Sequence, residues 1–182
     1  MSKKRMMEKW AKGMVSVKNY LELCQIAKDL GAEDAKIIST EQVVTAPWVT
    51  LKCRYGCDSY NATHCCPPRT PSYKETREIL NSYHYGVLIM TNSLPRTTPL
   101  VVKIEREIFL RGFYKAFGLG AGPCKLCTEC NLERCRHPLE ARPSMEACGI
   151  DVYATARAAG FNLEVLRDKE EQETCFGLIL IE

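Results

Sequence analysis

The chemistry of this chain is concentrated in its cysteines. Four of them fall within twelve residues, as Cys124, Cys127, Cys130 and Cys135. Three form a C-x2-C-x2-C run, which places three soft sulfur donors on one tight loop. A small tetrahedral ion such as zinc is normally gripped by two C-x2-C pairs set a dozen or more residues apart, so that they approach from opposite sides. Here only Thr128 and Glu129 separate Cys127 from Cys130. A larger inorganic core relieves that crowding, and iron–sulfur clusters accept runs of this type. Iron–sulfur is therefore the favoured reading, with zinc as the alternative.

The run parallels the C-x2-C-x2-C-x3-C-P of bacterial ferredoxins, in which the fourth cysteine serves the other cluster. This chain departs from that pattern. Its last spacing is x4, and Cys135 is followed by Arg136-His137-Pro138. Cys135 can thus close its own centre, or cross to another one and leave Cys148 to complete the local set.

A second thiol group lies upstream. Cys53-Arg54-Tyr55-Gly56-Cys57 is followed by His64-Cys65-Cys66-Pro67-Pro68. The opening resembles a radical S-adenosylmethionine motif, but position 60 is Tyr where a third cysteine is required, and that reading fails. As a metal site the group offers Cys53, Cys57 and Cys66, one donor short of a closed cluster. Neighbouring cysteines seldom both ligate one metal, so Cys65 stands in reserve beside His64 and Cys148. The expectation is a [4Fe–4S] type of centre, two in number, on two cysteine-rich loops. An open iron that takes substrate or water is the other way to read the short first group. Lys52, Arg54, Arg69, Lys125, Arg134 and Arg136 flank the thiols and would offset an anionic core, although solvated surface charge explains them equally.

The remaining composition is ordinary. The chain has 182 residues, 46% hydrophobic and 26% charged, with a net charge of +3. That charge gives no reason to expect nucleic acid. No apolar run approaches a membrane span, and no apolar stretch follows the basic N-terminus as in a signal peptide. A cytoplasmic location follows as an expectation. In that reducing setting eleven cysteines point to metal or redox chemistry more than to disulfides. The partner expected is a redox protein. Cys24 and Cys175 sit alone on apolar patterns and read as packing.

The elements that must position the thiols read as one α/β or α+β domain over 1–182, a small mixed sheet with flanking helices, with 1–15 loosely attached. The spacing predicts a helix from Ser16 to Gly31, strands at 35–39 and 47–52, and a helix from the Ser72 capping box to Tyr83. A buried strand at 87–90 comes next, then a helix from Thr98-Pro99 to Phe117. The Gly118–Pro123 loop has a backbone that must come close to something, either a cluster or simply the end of the helix. One or two helical turns near 142–148 precede a short helix capped by Asp151 and closed by Gly160. Strands at 161–166 and 174–181 end the chain, as hairpin partners.

From Leu51 onward the sequence resembles the cysteine-rich family known as "predicted metal-binding protein", domain of unknown function 2284. The blocks that carry the resemblance are Lys52-Cys53 with Cys57 and Tyr60, Cys66-Pro67-Pro68, Gly120-Ala121-Gly122-Pro123-Cys124 with Cys127 and Cys130, and Cys135-Arg136. Arg142-Pro143-Ser144-Met145-Glu146-Ala147 and Gly149-Ile150-Asp151-Val152 complete them. The resemblance implies metal binding, of iron–sulfur type, in microbes of anaerobic habit. It implies no particular reaction.

Overall fold

A computed structural model describes residues 20–168 and 170–182. The expectations for residues 1–15 and for a Ser16 cap lie outside them. Helix α1 is described over 20–29 and stops before Gly31 at φ +114°, where a glycine is needed. The other elements are β1 (Asp34–Ser39), α2 (Pro47–Gly56), α3 (Tyr73–Leu80), β2 (Tyr85–Thr91), α4 (Leu94–Leu110), β3 (Phe117–Leu119), α5 (Val152–Ala158) and β4 (Cys175–Leu180). Short 3-10 turns cover Thr40–Gln42 and Glu146–Cys148.

The strands form one sheet in the order β1-β2-β4-β3. Every ladder is antiparallel, with Ile37 opposite Val87, Val87 opposite Ile179 and Gly118 opposite Ile179. Sheet and helices together make the fold α+β. The apolar run of β2 is continuous because both faces of the sheet are covered. Val87, Ile89 and Ile179 pack with Leu23 and Ala27 of α1 and Val101, Ile104 and Ile108 of α4. Leu88, Leu178 and Leu180 pack the other way, with Leu80 of α3, Ala156 of α5 and Met145. Each fully buried Leu or Ile here contributes about 2 kcal/mol of hydrophobic stabilisation.

Several elements differ from their sequence reading. Residues 47–52 are helical rather than extended. Pro47 takes the first helical position, where its missing N–H costs nothing, after an extended Ala46. The β-branched Val49 and Thr50 suggested a strand, but the helix turns only Val49 into the core. Helix α4 starts at Leu94 with Pro95 in its first turn, so Pro99 falls inside it. It ends at Leu110, with Gly112 at φ +97°, and not near Phe117. Residues 117–119 are the edge strand β3.

The stretch 161–166 has no ladder, and the partners of β4 are β2 and β3. Its alternation is that of an extended strap. Phe161 and Leu163 are buried, with Phe161 edge-on to Phe176 at 5.1 Å. Arg157 holds the strap by donating to the Leu163 carbonyl at 2.8 and 3.0 Å. Ser72 and Glu75 form the expected capping box, and Asp151 Oδ1 caps α5 through the Ala154 N–H at 2.9 Å.

Candidate metal centre

Helix α2 and its exit place the first thiol group. Cys53 lies in the last turn of α2, and Cys57 is the extended residue that ends the helix. The chain then makes a series of turns to Pro68. The Asn61 N–H donates to the Pro67 carbonyl at 2.8 Å, and the Cys66 N–H to the Thr63 carbonyl at 3.3 Å. This winding buries Cys65 and Cys66 side by side.

The second group is an excursion from the sheet. Gly120 and Ser144 form a bridge, with the Gly120 N–H donating to the Pro143 carbonyl at 2.8 Å and the Met145 N–H to the Gly120 carbonyl at 3.0 Å. Residues 121–143 are thus a loop with a closed neck. A close approach of the glycine run is made to α4, at Gly118 and Gly120. A Cβ on Gly120 would lie 2.8 Å from Thr98 Cβ, and one on Gly118 would run into Val101. Packing β3 this tightly on α4 sets where Cys124 emerges.

The two groups meet. The His64 Nε2–H donates to the Asn131 carbonyl at 2.9 Å, across 67 residues of sequence. Cys124 is the junction, because it lies near both Cys65 and Cys66. The adjacent cysteines part company here. Cys65 neighbours Cys124 and Cys135, whereas Cys66 neighbours Cys57 and Cys124. Cys65, Cys124, Cys127, Cys130 and Cys135 line one cavity of about 340 Å³, together with His64.

A second cavity of about 370 Å³ lies at the first group, with Cys53, Cys57, Trp48, Lys52, Glu146 and Cys175 in its wall. Burial pushes the Cys53 thiol up, helped by Cys57, Glu146 and Cys66 in that order. The Cys65 thiol is pushed up to about 12 by burial and then by Cys124. Crowded thiols in a poorly solvated setting resist ionisation, and a cation among them reverses that preference.

The reserve candidates divide. Cys65 joins the second group. His64 is a tether through Nε2. Cys148 is part of the hydrophobic core, its thiol pushed up to about 12 by burial and by Glu146. The Cys135 sulfur accepts the His137 N–H at 3.4 Å and stays with the second group. Lys52, Arg54, Arg69, Lys125, Arg134 and Arg136 are all exposed.

Glu146 was not anticipated. It lies on the turn after Met145, and its Oε2 is shut off from solvent with no hydrogen-bond partner. Nothing in a sequence separates such an acid from a solvated one in a helical turn. Cys175, expected to pack, is half-buried on β4 and borders the Glu146 cavity. Cys24, on α1, packs against the core. Cys24→Ser is expected to leave metal per folded chain unchanged by elemental analysis, and a loss of one centre's metal would contradict the packing role.

A family model described as "Predicted metal-binding protein (DUF2284)" matches residues 36–181. The chain belongs to DUF2284. The DUF2284 match starts at Lys36, ahead of the Leu51 from which the resemblance was read, and takes in both thiol groups and the Glu146 turn. No curated protein and no solved structure matches the chain. No helix among the described residues is long and apolar enough to cross a membrane.

The donors fit the metal binding that the DUF2284 description names. They are soft thiols, converging, partly buried and accompanied by an orphaned carboxylate oxygen. Among the described residues no three Cys, His, Asp or Glu side chains are close enough to hold a single ion.

Proposed function

We propose that this protein is an iron–sulfur protein with two cysteine-ligated centres of [4Fe–4S] type, working in electron transfer with a redox protein partner in the cytoplasm. The observation that carries the reading is the convergence of five thiols on one cavity, joined through Cys124 to Cys53, Cys57 and Cys66. A core wider than one ion suits donors that are gathered but too far apart for a single tetrahedral site. Cys124, Cys127, Cys130 and Cys135, with Cys65 at hand, would hold one centre. Cys53, Cys57 and Cys66 would hold the other. Such clusters supply one-electron chemistry when bound.

The chain's own part would be to fix the thiols, limit water and set the surrounding charge. The exposed cations near both groups would suit a partner with an acidic docking face. A second reading is an enzyme with an open position at the first centre. The cavity of about 370 Å³ beside Cys53 and Cys57 favours it, since electron transfer needs no such space.

Anaerobically purified protein is expected to be brown, to contain iron and acid-labile sulfide in equal amounts, and to bleach under dithionite. Stoichiometric zinc without labile sulfide would overturn the proposal in favour of a zinc-stabilised binding module.

A further inference from the structure

We propose that Glu146 is the non-cysteine ligand of the first centre, filling through Oε2 the position that Cys53, Cys57 and Cys66 leave open. This rests on the reading of that group as one pole of an iron–sulfur site. The first group is one donor short, and the structure removes most rivals for the vacancy. Cys65 lies toward Cys124 and Cys135, in the other cavity. His64 spends Nε2 on the Asn131 carbonyl. Cys148 is packed into the core. Cys175 borders the same cavity as Cys53 and Cys57 and is the one rival that the test below must separate. Glu146 lines this cavity with Cys53 and Cys57, and its charge bears on Cys53.

Its other features are those of a ligand. Glu146 Oε2 is the one buried side-chain oxygen or nitrogen among the described residues that lacks a partner. Buried oxygens are nearly always paired, so an orphan on a side chain that lines a cavity with Cys53 and Cys57 points to a missing ion or group. The backbone that carries it is held on every side. The Thr70 hydroxyl donates to the Ala147 carbonyl at 2.5 Å and the Thr76 hydroxyl to the Cys148 carbonyl at 2.6 Å. The Ala147 N–H donates to Ser144 Oγ at 3.1 Å. Gly149 sits at φ +71°, and a Cβ there would lie 2.9 Å from the Tyr73 Cα. This turn packs against α2, the helix that bears Cys53. So rigid a mount suits a side chain that must meet a fixed target.

A carboxylate is a harder, more exchangeable donor to iron than a thiolate. The position it fills is therefore the labile one, and it faces the space where a small molecule could displace it.

The test uses the cluster-loaded full chain in a Cys127→Ala background, which keeps only the first centre. Ferricyanide takes one electron from the [4Fe–4S]2+ core, and one Fe2+ leaves, giving a paramagnetic [3Fe–4S]+ core. Iron counting and electron paramagnetic resonance both report the change. With Glu146 present, the centre is expected to lose one iron per chain. Glu146→Gln should lose it at lower ferricyanide, and Glu146→Cys, with a thiolate in place, should keep it. Cys175→Ser should behave as its parent does. Circular dichroism verifies that each variant is folded. Equal iron loss in all Glu146 variants would overturn the assignment, as would loss of the fourth iron at lower ferricyanide in Cys175→Ser than in its parent. If the unaltered protein loads zinc and no sulfide, the cluster reading itself fails, and that outcome is distinct from equal loss.

Discussion

Cys65→Ala and Cys66→Ala are expected to strip different centres, although the two residues are adjacent. Each should lower iron per chain by about half, and the double variant should remove nearly all of it. The reason is local geometry. The turns after Cys57 bury both thiols, yet Cys66 lies toward Cys57 while Cys65 lies toward Cys124 and Cys135. Cys66→Ala should therefore match Cys57→Ala, and Cys65→Ala should match Cys127→Ala. Matching is judged by which reduced-state resonance disappears as well as by iron count. A Cys65→Ala protein that retained both signals would show that Cys65 only packs at the junction. The same comparison settles Cys135, whose place beside Cys65 argues for local ligation over a crossing to the first group.

The parts of this molecule that sequence could reveal are those in which one residue type has one physical use. The gathering of the C-x2-C-x2-C thiols on one cavity was legible because three thiols at that spacing lie on one tight loop. The capping box at Ser72 and Glu75 and the apolar run of β2 were legible because caps and two-sided burial leave local signatures. Helix α2 was misread because Val49 and Thr50 favour strands, while what decides its state is Pro47 at the first helical position and one apolar side chain facing the core. The strap at 161–166 alternates like a strand because its apolar residues insert into the core, but no neighbour offers it a ladder. The places of Cys65 and Glu146 in the two cavities were not legible for a related reason. Whether a side chain is solvated or aimed into a cavity depends on contacts with residues far along the chain.

Breaking the ion pair between Glu105 and Arg142 is expected to be the most destabilising change on the periphery of the site. Arg142 reaches Glu105 with two hydrogen bonds, Nε to Oε2 at 2.7 Å and a terminal nitrogen to Oε1 at 2.6 Å. The two side chains are only 11% and 14% exposed. Glu105 Oε2 also accepts the Gly118 N–H at 2.8 Å, and Arg142 donates to the Ala141 carbonyl at 2.9 Å. The pair thus ties α4, β3 and the neck of the second-group loop together. Glu105→Ala leaves the guanidinium buried without its counterion, at a cost of about 3–5 kcal/mol. That is a large share of the roughly 5–15 kcal/mol by which a domain is usually stable. The exposed pair Glu107 and Arg111, at 40% and 43% exposure, is the internal comparison. Its loss through Glu107→Ala should cost no more than about 0.5 kcal/mol, because water screens it. Denaturant midpoints of the metal-free protein measure both without interference from ligation. Replacing both partners by apolar residues, as Glu105→Leu with Arg142→Met, should recover part of the loss, since no charge is then stranded. A Glu105→Ala midpoint no lower than that of Glu107→Ala would show that the neck is held by its backbone bridge alone.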